Sequence, residues 1–137
     1  MQALVPKLAV WLAALWWGNL TTVGFGVVPM LFANLPTPAI AGNMAAKLFA
    51  AQTWVAVVCG LLLLLTLRTN QPLAQENKAQ SALLFIVGGV LLALLSQYVA
   101  APHIVARDNL RLWHSVGTAL YVLQWLCAGV TFKKLLD

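Results

Sequence analysis

Along the chain, apolar residues fall into four long blocks, about Val5–Phe32, Asn43–Leu67, Ser81–Ala101 and Leu112–Phe132. Short polar or proline-bearing stretches separate them. A helix needs roughly 20 residues to cross a hydrocarbon layer of about 30 Å, and every block reaches that length. A spanning barrel would show alternating segments of about 10 residues instead. The pattern predicts an all-α fold: an integral membrane four-helix bundle, one domain over residues 1–137.

The first block is the longest. At 1.5 Å per residue its roughly 28 residues would reach about 42 Å, so it must tilt, kink or protrude. Pro29 gives a cause for a kink, because it leaves the carbonyl of Phe25 without its usual donor. The apolar run after Lys7 continues well past the length of a signal-peptide core, which predicts a retained first span. The first connection, Ala33–Gly42, reads ANLPTPAIAG and predicts a tight uncharged turn. The second, Arg68–Gln80, is polar and holds Glu76 and Lys78. The third lies in Pro102–His114, PHIVARDNLRLWH, which carries both histidines, two arginines and one of the three acids.

Composition names the solvent. The chain is 62% hydrophobic and only 8% charged, too little polar surface for a soluble domain. A net charge of +5 would suggest nucleic acid in a soluble protein, but the basic residues sit at the ends of apolar blocks. That placement is an orientation signal, and nucleic acid is discounted. Four spans put Lys7, Arg68, Lys78, Lys133 and Lys134 on one side and Lys47, Arg107 and Arg111 on the other. The bias predicts an N-in, C-in protein of the inner (cytoplasmic) membrane, multi-pass, with the lipid bilayer as its partner. Cys59 and Cys127 lie inside apolar blocks and read as buried thiols that pack as small hydrophobes.

Small residues mark a candidate packing face. Ala14, Gly18, Thr22 and Gly26 recur every fourth residue and line one side of the first helix. Small side chains let membrane helices approach and gain dispersion contacts, so this stripe predicts a seam inside the bundle. A seam with a second copy, or with another membrane protein, is the alternative. Partial echoes occur at Gly89 and Ala93 and at Ser115 and Ala119.

The polar residues within the blocks give the candidate chemistry. Asn19 and Gln124 fall near mid-depth, and amides there commonly serve as interhelical hydrogen-bond glue. Lys47, Gln52, Gln97, Tyr98 and His114 all fall in the outer half, and intramembrane polar groups tend to face a cavity. One reading makes Lys47, Arg111 and His114 the mouth of an outward cavity, with Gln52 and Gln97 deeper. Cations near helix N-termini would favour an anionic group, and an imidazole there would make binding depend on pH near its ordinary pKa of about 6.5.

The plainer reading makes the third connection an anchor. Asp108 or Asn109 caps the fourth helix, while Arg107 and Arg111 reach lipid phosphates. A metal or haem site using His103 and His114 is the sharper alternative. On one helix those residues would sit about 16 Å apart, so a turn would have to fold them together. No metal ligand set and no cofactor is assigned. Nothing resembles an activated nucleophile, a carboxylate pair or a phosphate loop, which points away from an enzyme. The leading expectation is a non-enzymatic accessory, scaffold or small-solute-handling component. The alternative is a redox, metal or haem-handling membrane protein using His103 and His114.

The run from Trp16 to Phe49, with Trp17-Gly18, Pro29, Phe32, Ala41-Gly42 and Leu48-Phe49, resembles a four-span membrane family of unknown function. That family groups bacterial inner-membrane proteins with the eukaryotic transmembrane-protein-205-like proteins. The run Arg111–Leu123, RLWHSVGTALYVL, is similar to the family's arginine, aromatic, histidine and small-residue run. The resemblance implies a four-helix membrane bundle and no particular activity. It departs at Tyr121, where the family pattern implies a small amide residue.

Overall fold

The computed structural model describes residues 4–69 and 76–137. It is all-helical. Helix α1 (Leu4–Thr21) runs through a π-helical segment (Thr22–Val27) into α2 (Val28–Asn34). Helix α3 (Pro38–Thr69) returns, and α4 (Glu76–Leu95) runs through a second π-helical segment (Ser96–Ala100) into α5 (Ala101–Val105). Helix α6 (Leu110–Leu136) closes the fold. Four stretches, Pro6–Asn34, Pro38–Arg68, Gln80–Val105 and Leu110–Leu136, are each long and apolar enough to cross a membrane. The polar connection expected over residues 68–80 falls mostly on residues 70–75, outside the described residues, as do the side chains of Glu76 and Lys78.

The first turn is shorter than its composition suggests. Only residues 35–37 are non-helical, and α3 starts at Pro38, not near Asn43. Proline suits the first helical position because its missing N–H would be unpaired there anyway. Thr37 precedes it and accepts a bond from the Ile40 N–H at 3.3 Å. The turn at 106–109 lies at the same end of the bundle, called here the turn end.

Both π segments stop two residues before a proline, Pro29 and Pro102. A proline in a helix cannot donate to the carbonyl four residues back, and its ring crowds that carbonyl. The chain widens instead. The Val28 N–H reaches the Val23 oxygen and the Ala101 N–H reaches the Ser96 oxygen, each five residues back. Such widened turns recur at functional sites.

The four spans form a ring in which α1 and α4 each pack against α3 and α6. Diagonal helices therefore run in the same direction. The interior is built from small residues. Ala9, Ala13, Ala56, Ala93 and Ala128 are buried with Trp16, Leu20, Cys59, Leu63 and Ile86. Large side chains such as Leu15, Leu61, Leu84 and Leu91 point outward. Water is not driving burial here, so close backbone approach through alanine supplies the packing.

That geometry corrects the expected seam. The buried face of α1 is Ala9, Ala13, Trp16 and Leu20. A methyl group added at Gly18 or Gly26 would meet nothing within 4 Å, and Thr22 is exposed. The Ala14, Gly18, Thr22 and Gly26 stripe thus lies outside the bundle interior. On α4, by contrast, Gly89 and Ala93 do pack inward, whereas Ser115 and Ala119 on α6 are exposed.

Candidate functional site: a mid-depth amide layer

Phe49 on α3 and Tyr121 on α6 meet across the bundle, ring centroids 5.2 Å apart and edge to face. These two helices run the same way. Stepping three residues deeper along each reaches Gln52 and Gln124, which therefore lie at matching depth on neighbouring stripes. Both are enclosed: Gln52 is 3% exposed and Gln124 is 1% exposed.

The third amide comes from α1. The Tyr121 hydroxyl donates to the Leu20 carbonyl at 2.7 Å, and the Trp125 indole N–H donates to Thr21 Oγ1 at 2.9 Å. These contacts pack the stretch of α1 that carries Asn19 against α6. The Nε2 atoms of Gln52 and Gln124 and Oδ1 of Asn19 are buried with no partner in the protein. An unpaired polar group in a medium without water costs far more than one at a surface. Fully paired amides would be ordinary glue; these are not fully paired.

Tyr121 forms the layer's cover toward the turn end. Its ring is admitted by Gly24, where a methyl group would collide with Tyr121 Cε1. Gly24 sits in the first π segment, next to the carbonyl that Tyr121 bonds. Sequence reasoning missed this pair. Tyr121 registered only as a departure from a family pattern, and Gly24 lies off the four-residue stripe that drew notice. The workable signal was a tyrosine deep in an apolar span, since its hydroxyl must find a partner there.

The other expected site residues lie nearer the turn end. Gln97 is half-buried, in the second π segment. Lys47, Arg111 and His114 are exposed. The inward stripe of α6 passes through Tyr121, Gln124, Ala128 and Thr131. His114 does not share an enclosed wall with Gln52; Gln124 occupies that position.

The turn at 106–109 has its own construction. Arg107 adopts a left-handed backbone (φ 58°), its N–H bonds the Ile104 oxygen, and the Asp108 N–H bonds the His103 oxygen. These are the two bonds of a Schellman helix ending, with arginine where glycine is usual. Asn109 follows at φ 40° and makes no side-chain capping bond, contrary to the expected cap. The Asp108 carboxylate faces His103 instead, Oδ2 to Nδ1 at 3.2 Å. The His103 ring stacks on Trp113 at 4.0 Å with the planes 6° apart. The next helical side chain, His114, points about 100° away from Trp113, so the turn does not converge the two imidazoles. Among the described residues no three His, Cys, Asp or Glu side chains gather in metal-binding geometry. Arg107 is exposed, on the outside of this turn.

Comparison with known proteins adds one finding. A family model described as a domain of unknown function, DUF4149, matches residues 11–112. No curated protein and no solved structure matches the chain. The matched region takes in most of the first span, the second and third spans, both π segments and the turn that opens the fourth. By that match, over most of its length, the chain belongs to the DUF4149 family.

Proposed function

We propose that the protein is a non-enzymatic component of the inner membrane, N-in and C-in, that holds a small polar solute admitted from the outer side. The carrying observation is a one-sided gradient of polarity. Exposed Arg111 and His114 stand near the turn end, exposed Lys47 and half-buried Gln97 lie about two helical turns in, and the buried amides lie at mid-depth. Beyond them most buried side chains are apolar, Ala13, Leu63, Ile86 and Ala128 among them, and the buried Thr131 spends its hydroxyl on the Cys127 carbonyl. A path polar on one side and closed on the other suits binding better than conduction. A pure scaffold would have no use for unpaired buried amides, because apolar packing there would be more stable. The charge bias of the sequence supports placing the turn end outside. The motif resemblance to the transmembrane-protein-205-like proteins supports the four-helix bundle and adds no activity.

The redox or metal reading gains less support. His103 is engaged by Asp108 and Trp113, and His114 points elsewhere.

The test is water access at Gln97. In a background with Cys59 and Cys127 replaced by alanine, Gln97→Cys should react with a membrane-impermeant thiol reagent added from outside. Val87→Cys, exposed but deeper and on a lipid-facing position, should not react. A Gln97→Cys protein that stays unmodified would contradict an outward polar path.

A further inference from the structure

We infer that the amide layer is a binding site for an uncharged molecule of a few heavy atoms that presents an oxygen acceptor to Gln52 and Gln124. The inference deepens the reading above and rests on it only for the side from which the ligand arrives.

Two independent helices bring an amide nitrogen to one depth and leave each without an acceptor. Both side chains are more than nine-tenths enclosed. The register is fixed by Phe49 against Tyr121, three residues closer to the turn end on each helix. The hydroxyls of Thr53 and Tyr121 donate to the Phe49 and Leu20 carbonyls, and neither oxygen accepts from the Gln52 or Gln124 Nε2 in this structure. What the layer lacks is an oxygen with free lone pairs between two N–H donors, which a carbonyl, an amide, an alcohol or water would provide.

Charge is excluded by the surroundings. The residues one helical turn either side of the two glutamines, Phe49, Ala56, Tyr121 and Ala128, carry no charge. A bare ion at this depth would have no countercharge, and such burial is strongly unfavourable. Small neutral solutes fit these terms; phosphate-bearing and quaternary ammonium molecules do not.

Side-chain amide resonances of ¹⁵N-glutamine-labelled full-length protein in micelles report the site directly. N,N-dimethylformamide, a pure acceptor, is the probe, and tetramethylammonium is the charged comparison. The Gln52 and Gln124 signals should shift together and saturably with one midpoint as N,N-dimethylformamide is added. Exposed Gln80 should show no saturable shift. Tetramethylammonium should leave all of them in place, and Gln124→Leu should abolish the shift at Gln52. Absence of a saturable response at Gln52 and Gln124, or an equal response to tetramethylammonium, overturns the inference. It fails alone if Gln97→Cys is labelled from outside while the two amides stay silent. If the amides respond but Gln97→Cys stays unlabelled, the ligand class stands and the outward path falls.

Discussion

Gly89→Ala should lower the melting temperature of the detergent-solubilised protein, by the equivalent of about 1–3 kcal/mol expected for overpacking a filled interior. The site leaves no slack. A methyl carbon at Gly89 would sit 2.6 Å from Cη2 and 2.9 Å from Cζ2 of Trp16, with Cys127 Cβ at 3.2 Å. Trp16 is fully buried and bridges from α1 to the diagonal helix α4, so its rigid ring cannot swing clear. Trp16→Phe removes the atoms in conflict. In a double-mutant cycle it should therefore recover part of the loss caused by Gly89→Ala. Gly18→Ala is the control. Nothing lies within 4 Å of the added methyl, and alanine is the better helix former by about 1 kcal/mol, so stability should hold or rise. A destabilising Gly18→Ala alongside a neutral Gly89→Ala would mean that α1 turns its other face inward.

Gly24→Ala should displace Tyr121 and destabilise the protein by a similar amount, about 1–3 kcal/mol. The added methyl collides with the Tyr121 ring. If the ring moves, its bond to the Leu20 carbonyl and its edge contact with Phe49 go with it. Tyr121→Phe isolates the hydrogen bond. Such bonds between membrane helices average about 0.6 kcal/mol, so its loss should be the smaller of the two. Thermal unfolding of the three proteins gives the comparison. Equal stability of Gly24→Ala and wild type would show that Tyr121 does not occupy the space beside Gly24.

The four helices were legible because each apolar block is long enough to span a bilayer and no other regular structure pairs its backbone there. Which face of each helix turns inward was not. In a soluble bundle the apolar stripe marks the core. Here Leu15 faces outward and Ala13 inward, both apolar, so polarity carries no instruction at those positions. The small-residue stripe through Gly18 looked like the answer, yet Ala9, Ala13 and Trp16 form the buried side. Pro29 signalled a disturbed helix, while the widening to a π turn depends on how the freed carbonyls are met. Gln52 and Gln124 were both picked out as polar residues in spans. Their shared depth became visible only through the Phe49 and Tyr121 contact, which joins positions 72 residues apart. The His103 and Asp108 pairing was equally hidden, since it needs two left-handed residues that are not glycine.

The central claim is that Gln52 and Gln124 confront each other inside one chain. The direct measurement is cross-linking of Gln52→Cys with Gln124→Cys in membranes, with Cys59 and Cys127 replaced by alanine. A short bis-methanethiosulfonate reagent should give a compact, faster-migrating monomer, and the paired control Leu84→Cys with Leu123→Cys, both outward-facing, should not. Failure of the Gln52 and Gln124 pair to link within the monomer, or linkage only between chains, would contradict the amide layer.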